Sequence, residues 1–260
     1  MGDGRCLWGL LTPLGFVSYP PEIQLSIMKI AIIGRGNVAT HLIKALQPHY
    51  QVVPVNPRTL EDFPADADLA LISVSDSAII SVAERLNGFK GIVAHTSGST
   101  PMTVLAESVD DYGVFYPLQT FSKDVSLDYA ELPFFIEGSS ERVSEVLRSV
   151  ASSVSEKVYD ADSDKRRTLH IASVFACNYV NHMLAIADEL LKEKLLDISV
   201  LRPLIAETIR KVDKVSPRQA QTGPAIRRDQ VIIDSHIAML ADNPRLAEIY
   251  RLLALSIQEE

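Results

Sequence analysis

The feature that most constrains the fold of this 260-residue chain is a glycine-rich turn that follows an apolar run, Lys-Ile-Ala-Ile-Ile at 29–33. A strand that opens a helix beneath a pyrophosphate needs glycine for the tight turn, a second glycine where the backbone meets the phosphates, and a small residue where helix and strand pack. The turn has these residue types in order: Gly34, Arg35, Gly36, Asn37, Val38 and Ala39. The pattern predicts a dinucleotide-binding turn, and the alternative is a glycine turn without a ligand.

The residues around the turn favour the first interpretation. An apolar stripe at helical spacing follows it, formed by Val38, Leu42, Ile43 and Leu46. A second apolar run at 51–55 supplies the next strand of a strand–helix–strand unit. The N-terminus of the predicted helix offers unpaired N–H groups and a partial positive charge to an anion.

The rest of the chain alternates strand and helix patterns and then becomes helical. Strands are predicted at 69–74, 91–94, 112–115, 133–136 and 157–159, with helices at 78–86 and 140–154. Helices alone are predicted after that, at 169–191, 199–215, 225–241 and 244–257. The predicted fold class is α/β, with a Rossmann-like, doubly wound and mostly parallel sheet (28–161) followed by an all-α C-terminal domain (162–260).

Residues 1–27 are expected to form an N-terminal extension outside both domains. The apolar stretch at 6–11 loosely resembles a signal peptide, but Thr12, Pro13 and Gly15 interrupt it and no clear cleavage site follows. Met28 directly precedes the first strand. We therefore expect the native chain to begin at Met28, and the extension to be disordered or absent from the native protein.

Composition excludes several classes of partner. The formal net charge is -8 and no region has the basic excess that nucleic-acid phosphates require, so we expect no nucleic-acid partner. No run approaches the roughly 18 consecutive apolar residues of a membrane span, so we expect no membrane partner. Two cysteines, Cys6 and Cys177, are too few for a disulfide framework and fit a cytoplasmic location. No spacing of histidines, cysteines and carboxylates indicates a metal site.

The residues at the end of the second strand are expected to decide whether NAD or NADP binds. An acidic residue there would bind the ribose 2′-hydroxyl of NAD, but this chain has Asn56, Pro57 and Arg58, with no carboxylate before Glu61. Arg58 can pair with a 2′-phosphate, and Arg35 is a second candidate cation. With Asn56 and Arg58 as candidate contacts, NADP is predicted and NAD is left open. The alternative for Arg58 is an ordinary solvated charge.

Several motifs recur in this order in one group of proteins: the glycine turn, His-Thr-Ser-Gly-Ser at 95–99, Tyr-Pro-Leu-Gln-Thr-Phe at 116–121, the helix at 170–178 and Thr-Gly-Pro at 222–224. From about Met28 to Ile257 the chain resembles the Rossmann-like NADP oxidoreductases with an uncharacterised helical C-terminal domain, which are similar to pyrroline-5-carboxylate reductase and the deazaflavin-dependent NADP oxidoreductases. The resemblance implies a homodimer in which the helical domains pair.

Candidate contacts follow three of the strands. Val74, Ser75 and Asp76 end the third strand and are candidates for the cofactor, although Asp76 has capping of the next helix as its alternative. Gln119, in the motif at 116–121, is a candidate for the substrate.

The loop after the fourth strand carries hydroxyls and N–H groups to the edge of the sheet where ligands bind. Thr96 and Ser97 are candidates for the cofactor, and Ser97, Gly98 and Ser99 for the substrate. The alternative is a hydroxyl residue that caps a helix beginning near Pro101.

The long helix pattern provides the catalytic candidates, His170 and Asn178, on one broad side. His170 is the candidate proton donor or substrate-orienting group, and the alternative for both is a polar residue satisfied within a core. Related hydroxyacid dehydrogenases carry a catalytic lysine one turn before the asparagine, where this chain has Val174. Their acid–base chemistry therefore does not carry over.

A last candidate lies after the motif at 222–224. Arg228, beside Asp229, is a candidate for binding an anionic substrate, and a solvated helix start is the alternative. Relatives often have glycine at this position.

These observations predict an NADP-dependent oxidoreductase that transfers hydride between NADP(H) and a small imine or carbonyl substrate in the cleft between the domains. The alternative is an NADP-binding sensor or scaffold without turnover, which the missing lysine favours.

Overall fold

The computed structural model describes residues 28–259. The expectations for residues 1–27 lie outside this range. The chain divides into two compact units, one ending at Asn178 and one beginning at Tyr179. The domain boundary expected after residue 161 stays a prediction, and the first compact unit includes the helix that follows it.

In the described part of the chain, the first unit is built on one sheet. Its strands are β1 (Lys29–Ile33), β2 (Gln51–Val55), β3 (Leu69–Ile72), β4 (Ile92–His95), β5 (Tyr112–Pro117), β6 (Phe134–Gly138) and β7 (Val158–Asp160). Its helices are α1 (Asn37–Leu46), α2 (Ile79–Glu84), α3 (Glu141–Ser152) and α4 (Ser163–Ser173). The strand order is β2-β1-β3-β4-β5-β6-β7, so the predicted fold class is confirmed.

The central strands are apolar on both faces because helices cover both sides of the sheet. Ile30 and Ile32 belong to one core cluster with residues of α1 and α3. Ala31 and Ile33 belong to a second cluster with residues of α2. The alternation along β1 therefore divides its side chains between two separate cores.

One pair of strands departs from the parallel arrangement. β5 and β6 are antiparallel, with Phe115 paired to Ile136. A parallel return needs a crossover, which is usually helical. The segment between Pro117 and Phe134 forms no helix, so the chain runs back directly beside β5.

The strand ends near the glycine turn are level. Ile33, the last residue of β1, pairs with Val55 of β2 and Ile72 of β3, and Ile72 pairs with His95 of β4. The segments that follow these strands therefore begin at one edge of the sheet, which is where open α/β sheets bind ligands.

The second unit is helical over its described residues. Its helices are α5 (Val180–Lys192), α6 (Arg202–Val212), α7 (Pro217–Ala220), α8 (Gln230–Met239) and α9 (Pro244–Gln258). The helix predicted over 225–241 begins only at Gln230, because the Asp229 side chain accepts a hydrogen bond from the Ile232 N–H and caps it there.

A long helical stretch crosses residues of both units. Ser163–Lys192 contains an 18-residue window with a mean hydropathy of 1.2, and none of that window is buried. Its length and composition are sufficient to cross a membrane, although core helices of water-soluble proteins share these properties. The expectation of no membrane partner therefore stays a prediction.

Candidate functional site

The two glycines of the turn between β1 and α1 have different roles. A Cβ built on Gly34 would lie 2.0 Å from the carbonyl oxygen of Ser73, so only glycine lets the turn pass so close to the end of β3. A Cβ on Gly36 would meet no atom within 4 Å. Gly36 is the N-cap of α1 and has no side chain to satisfy the first N–H groups. Open space and free donors therefore coincide at this helix N-terminus, as phosphate binding requires.

A cleft of about 740 Å³ opens beside this turn. Its walls come from the turn after β1, from the ends of β2, β3, β4 and β5, and from α4. The lining residues are Arg35, Gly36, Asn37, Val38, Pro57, Ser73, Val74, Ser75, Asp76, Thr96, Ser97, Gly98, Tyr116, Pro117, Gln119, Phe121 and His170. The cleft therefore brings together most of the residues that the sequence singled out, from five separate strand ends.

Some candidates lie just outside the lining. Gly34 and Ala39 are buried, where they allow α1 to pack against the sheet. Asn56 and Arg58 flank the lining residue Pro57, and Ser99 follows the lining residue Gly98. The Ser99 hydroxyl donates to the Asp76 carboxylate, so Asp76 joins the loops after β3 and β4.

The alternative role of Asp76, capping of the next helix, is not observed. Asp76 is the first residue of a 3₁₀ turn, Asp76–Ala78, and neither that turn nor α2 has a side-chain cap.

Two candidates from the helical part of the chain are not among the lining residues. Asn178 is exposed within a π-helical turn, Val174–Tyr179, which interrupts the α-helical spacing used to place it on the same side as His170. Arg228 lies in the second unit, where its guanidinium donates to the carbonyl oxygen of Gln258 at 3.2 Å.

The loop after β4 is organised by the hydroxyl of Ser97. That oxygen accepts hydrogen bonds from the N–H groups of Ser99 at 3.1 Å and Thr100 at 2.9 Å, and it donates to the Thr100 hydroxyl at 3.0 Å. The Ser97 N–H itself donates to His95 Nδ1 at 3.2 Å. The 3₁₀ turn after Pro101 has no side-chain cap, so the helix-capping alternative for these hydroxyls is wrong.

Arg166 on α4 anchors this loop by hydrogen bonds to its backbone. This residue was missed in the sequence analysis. Its side chain is fully buried, and it donates to the carbonyl oxygens of Ser97, at 3.1 Å, and Thr100. Its charge is paired with Glu137 on β6, which also accepts from the hydroxyl and N–H of Ser163. A buried arginine has no periodic sequence signal, so only the fold reveals it.

His95 is the buried end of β4. Burial, together with the nearby Arg166 cation, lowers the pKa of His95 to about 4. Because Nδ1 accepts from the Ser97 N–H, the neutral ring carries its proton on Nε2, which has no hydrogen-bond partner among the described residues. The imidazole is therefore a neutral acceptor that fixes the backbone at Ser97, where the loop begins.

Tyr116 is a second residue that the sequence analysis missed. It lines the cleft near the end of β5, and its phenolic oxygen lies 3.2 Å from His170 Nδ1. The signal was present in the sequence, because Tyr116 opens the motif that supplied Gln119 and directly follows the strand predicted at 112–115, on the ligand side of the sheet.

The segment between β5 and β6 is attached to α1. Asn37, a predicted cofactor contact, donates from its side-chain amide to the carbonyl oxygen of Phe121 at 2.8 Å. The buried His41 donates from Nε2 to the carbonyl oxygen of Ser122 at 2.9 Å and accepts from the Tyr129 hydroxyl at 3.0 Å. These bonds place Phe121 at the wall of the cleft beside the glycine turn.

No group of histidines, cysteines and carboxylates suited to a metal ion occurs in residues 28–259.

The sheet, the turn and the cleft define a Rossmann-type α/β protein with a dinucleotide-type glycine turn at the ligand edge. The chain is 42% identical to a "putative NADP oxidoreductase" from Bacteroides fragilis over 90% of this chain and 99% of that one, with a TM-score of 0.82. The chain belongs to this family of Rossmann-like NADP oxidoreductases, so the resemblance found in the sequence is confirmed. Residues 132–257 match a family model described as a domain of unknown function, DUF2520.

More distant structures share the fold. A protein of Thermotoga maritima is 18% identical, with a TM-score of 0.66, over 88% of this chain and 97% of that one. An imine reductase from Myxococcus stipitatus, solved in complex with NADP+, is 18% identical, with a TM-score of 0.57, over 89% of this chain and 92% of that one. Curated protein sequences gave no match.

Proposed function

We propose that the protein is an NADP-dependent oxidoreductase that transfers hydride between NADP(H) and a small imine or carbonyl compound. The observation that carries this proposal is the open space at Gly36, directly over the uncapped N-terminus of α1 and at the wall of the cleft. Family membership supports the same conclusion, because the relative from Bacteroides fragilis is described as an NADP oxidoreductase.

We infer the direction of the bound cofactor from the strand order. The turn after β1 holds the pyrophosphate, so the adenosine half extends toward β2 and the nicotinamide half toward β3, β4 and β5. Val74, Ser75 and Asp76 then lie along the nicotinamide half, and Thr96, Ser97 and Gly98 lie beyond them. When bound, NADPH supplies the hydride, and this chain positions the acceptor and supplies the proton.

NADP is proposed over NAD because of the residues after β2. Asn56 stands where an NAD-binding protein has its carboxylate, and Asn56 Oδ1 accepts from the Arg58 N–H at 3.1 Å. The Arg58 side chain remains exposed and can pair with a 2′-phosphate. A missing carboxylate at Asn56 and an exposed guanidinium at Arg58 together favour the phosphorylated cofactor.

The acid–base residues are proposed from the cleft and the α4 helix. His170 lines the cleft and is the proposed proton donor or substrate-orienting group, whereas Asn178 is retained as a second candidate from the sequence motif. Gln119 and Ser99 are proposed contacts of the substrate. Arg228 is retained as a candidate for an anionic group of the substrate.

The test of turnover is oxidation of NADPH, followed by its absorbance, with a panel of imines, keto acids and semialdehydes. Sustained oxidation by the wild type, reduced in the Asn178→Ala variant, is the expected result. NADPH binding without turnover of any acceptor would instead support the alternative, an NADP-binding sensor or scaffold.

We also propose that the protein is a cytoplasmic homodimer that pairs through its helical unit. Large apolar side chains are exposed there in the single chain, with Leu195 at 96%, Val231 at 78% and Met239 at 78%. Exposed apolar surface of this extent is typical of interaction sites. Light scattering coupled to gel filtration should give twice the chain mass, and a monomer would contradict the proposal.

A further inference from the structure

Tyr116 and His170 form a polar pair in the cleft at the end farthest from β2. Tyr116 is only 8% exposed and lies near the end of β5, while His170 reaches it from α4. The Tyr116 oxygen and His170 Nδ1 are 3.2 Å apart, and the two rings meet edge to face. In the proposed cofactor layout this end of the cleft holds the nicotinamide. The pair therefore faces the place where a hydride acceptor would bind.

The backbone around the pair leaves room for the contact between the two side chains. A Cβ on Gly98 would lie 2.7 Å from His170 Nδ1 and 2.8 Å from the Tyr116 oxygen, so glycine leaves room for this hydrogen bond. The same loop is anchored on the buried Arg166 through the carbonyl oxygens of Ser97 and Thr100. The contact is therefore enclosed by fixed backbone, unlike a contact between two mobile surface groups.

We propose that Tyr116 is the catalytic proton donor to the oxygen of a carbonyl substrate, and that His170 is a positioning residue that holds the Tyr116 hydroxyl and replaces its proton. This inference rests on the proposed oxidoreductase function. The carbonyl carbon accepts hydride from NADPH, the C=O π bond breaks, and its electron pair takes the proton of Tyr116. The Tyr116 oxygen takes the proton from Nδ1 of the His170 imidazolium, which regains a proton from water. NADPH is oxidised to NADP+ and the carbonyl is reduced to an alcohol.

The electrostatics explain why two residues are needed. Burial raises the pKa of Tyr116, the Arg166 cation opposes this, and the Asp76 carboxylate adds to it. A free tyrosinate is therefore disfavoured in this site, so the hydroxyl can give up its proton only when another group replaces it. His170 is in hydrogen-bond contact and half-buried, so it reaches both Tyr116 and solvent. His95, the other nearby ionisable ring, is buried and neutral.

The pair selects between the two substrate classes of the proposed function. An imine that binds already protonated, as its iminium ion, carries the positive charge that a proton would provide, so hydride addition to it needs no acid from the protein. A ketone or aldehyde oxygen develops negative charge as hydride arrives, and a positioned donor stabilises it. A neutral phenol with a proton source behind it therefore fits a carbonyl acceptor.

The test compares a carbonyl panel (aldehydes, ketones and 2-keto acids) with N-methylated cyclic iminium salts. Wild type, Tyr116→Phe, His170→Gln and the control Tyr112→Phe are assayed with NADPH, and cofactor binding is measured separately by calorimetry. Tyr112 begins the same strand at its other end, so its variant removes a phenol away from the cleft. Tyr116→Phe should lower kcat for the carbonyl by about 100-fold or more without weakening NADPH binding, and Tyr112→Phe should not.

The pH profile separates a proton-relay role of His170 from a structural one. Wild-type kcat for the carbonyl should change with pH, and this change should be smaller in His170→Gln. Wild-type kcat in Tyr116→Phe, or turnover of iminium salts alone, would overturn the inference and leave the oxidoreductase proposal standing. NADPH binding with no turnover of either panel would overturn both.

Discussion

Arg85, at the end of α2, donates from Nη1 to the carbonyl oxygen of Arg58 at 3.0 Å. The same guanidinium donates to the carbonyl oxygens of Pro57 and Thr59, and the Asn56 side chain accepts from the Arg58 N–H. The backbone after β2 is therefore fixed while the Arg58 side chain stays exposed. A contact made by a fixed loop loses less conformational entropy on binding than one made by a mobile loop.

The first prediction concerns discrimination between NADPH and NADH. Arg58→Ala should weaken NADPH binding by about 10-fold to 100-fold, because it removes a charge-assisted contact worth about 1.5–3 kcal/mol, and should leave NADH binding unchanged. Calorimetric titration with each cofactor measures both affinities. Lys90→Ala removes one positive charge from the same sheet domain and serves as the control. Equal losses for NADPH and NADH would place Arg58 away from the 2′-phosphate.

The sequence predicted the sheet well because its signals are local. The apolar run before Gly34 and the similar runs that became β3 and β4 read as buried strands, and their order along the chain implied parallel pairing. The antiparallel β5–β6 pair was not foreseen, since it depends on the absence of a crossover helix. The π-helical turn Val174–Tyr179 was not predicted either, because an apolar helix pattern does not reveal one extra residue in a turn.

The sequence indicated candidate site residues mainly where a motif directly follows a predicted strand. Most candidates after β1, β3 and β4 line the cleft, and their binding roles stay predictions. Arg166 and Arg85 were missed because each acts through backbone carbonyl oxygens of a segment remote in sequence, which leaves no local pattern. Tyr116 was missed, although it lies in the motif at 116–121 that supplied Gln119.

The second prediction separates packing from binding in the glycine turn. Gly34→Ala should destabilise the fold by about 3 kcal/mol, because its Cβ would overlap the Ser73 carbonyl oxygen and force β1 and β3 apart. Denaturant unfolding followed by circular dichroism measures the loss. Gly88→Ala is not a suitable control, because the φ of Gly88 is positive and any side chain there would be strained. Ala45→Gly on α1 serves instead, because it also changes a single methyl group, and it should lower the free energy of unfolding by about 1 kcal/mol. A fully stable Gly34→Ala variant would contradict the close approach.

The third prediction concerns the buried Arg166. Arg166→Met leaves Glu137 and two carbonyl oxygens without their donor, and should cost about 3–5 kcal/mol of unfolding free energy. Arg210→Met breaks an exposed pair with Glu207 and should cost less than about 1 kcal/mol. Chemical denaturation of both variants gives the comparison, and similar small losses in the two would contradict a structural role for Arg166.

The fourth prediction is a pH dependence of stability. The pKa of His95 is about 4 in the folded chain against an ordinary value of 6.5, so the unfolded chain binds the extra proton between these values. Stability should therefore be complete above pH 6.5 and fall as pH drops toward 4, by about 3 kcal/mol from this group. His95→Asn keeps an acceptor for the Ser97 N–H and should show a shallower fall. Parallel pH profiles for wild type and variant would contradict this account.

The most direct test of the account is calorimetric titration of NADPH into the wild type and the Gly36→Ser variant. Serine is a favoured N-cap, its side chain has open space at this position, and its hydroxyl would take the N–H groups that the phosphates need. We predict saturable NADPH binding by the wild type and none by Gly36→Ser, whose melting temperature should be no lower. Unchanged NADPH affinity in Gly36→Ser, or no binding by folded wild type, would contradict the central claim that the pyrophosphate rests on the N-terminus of α1.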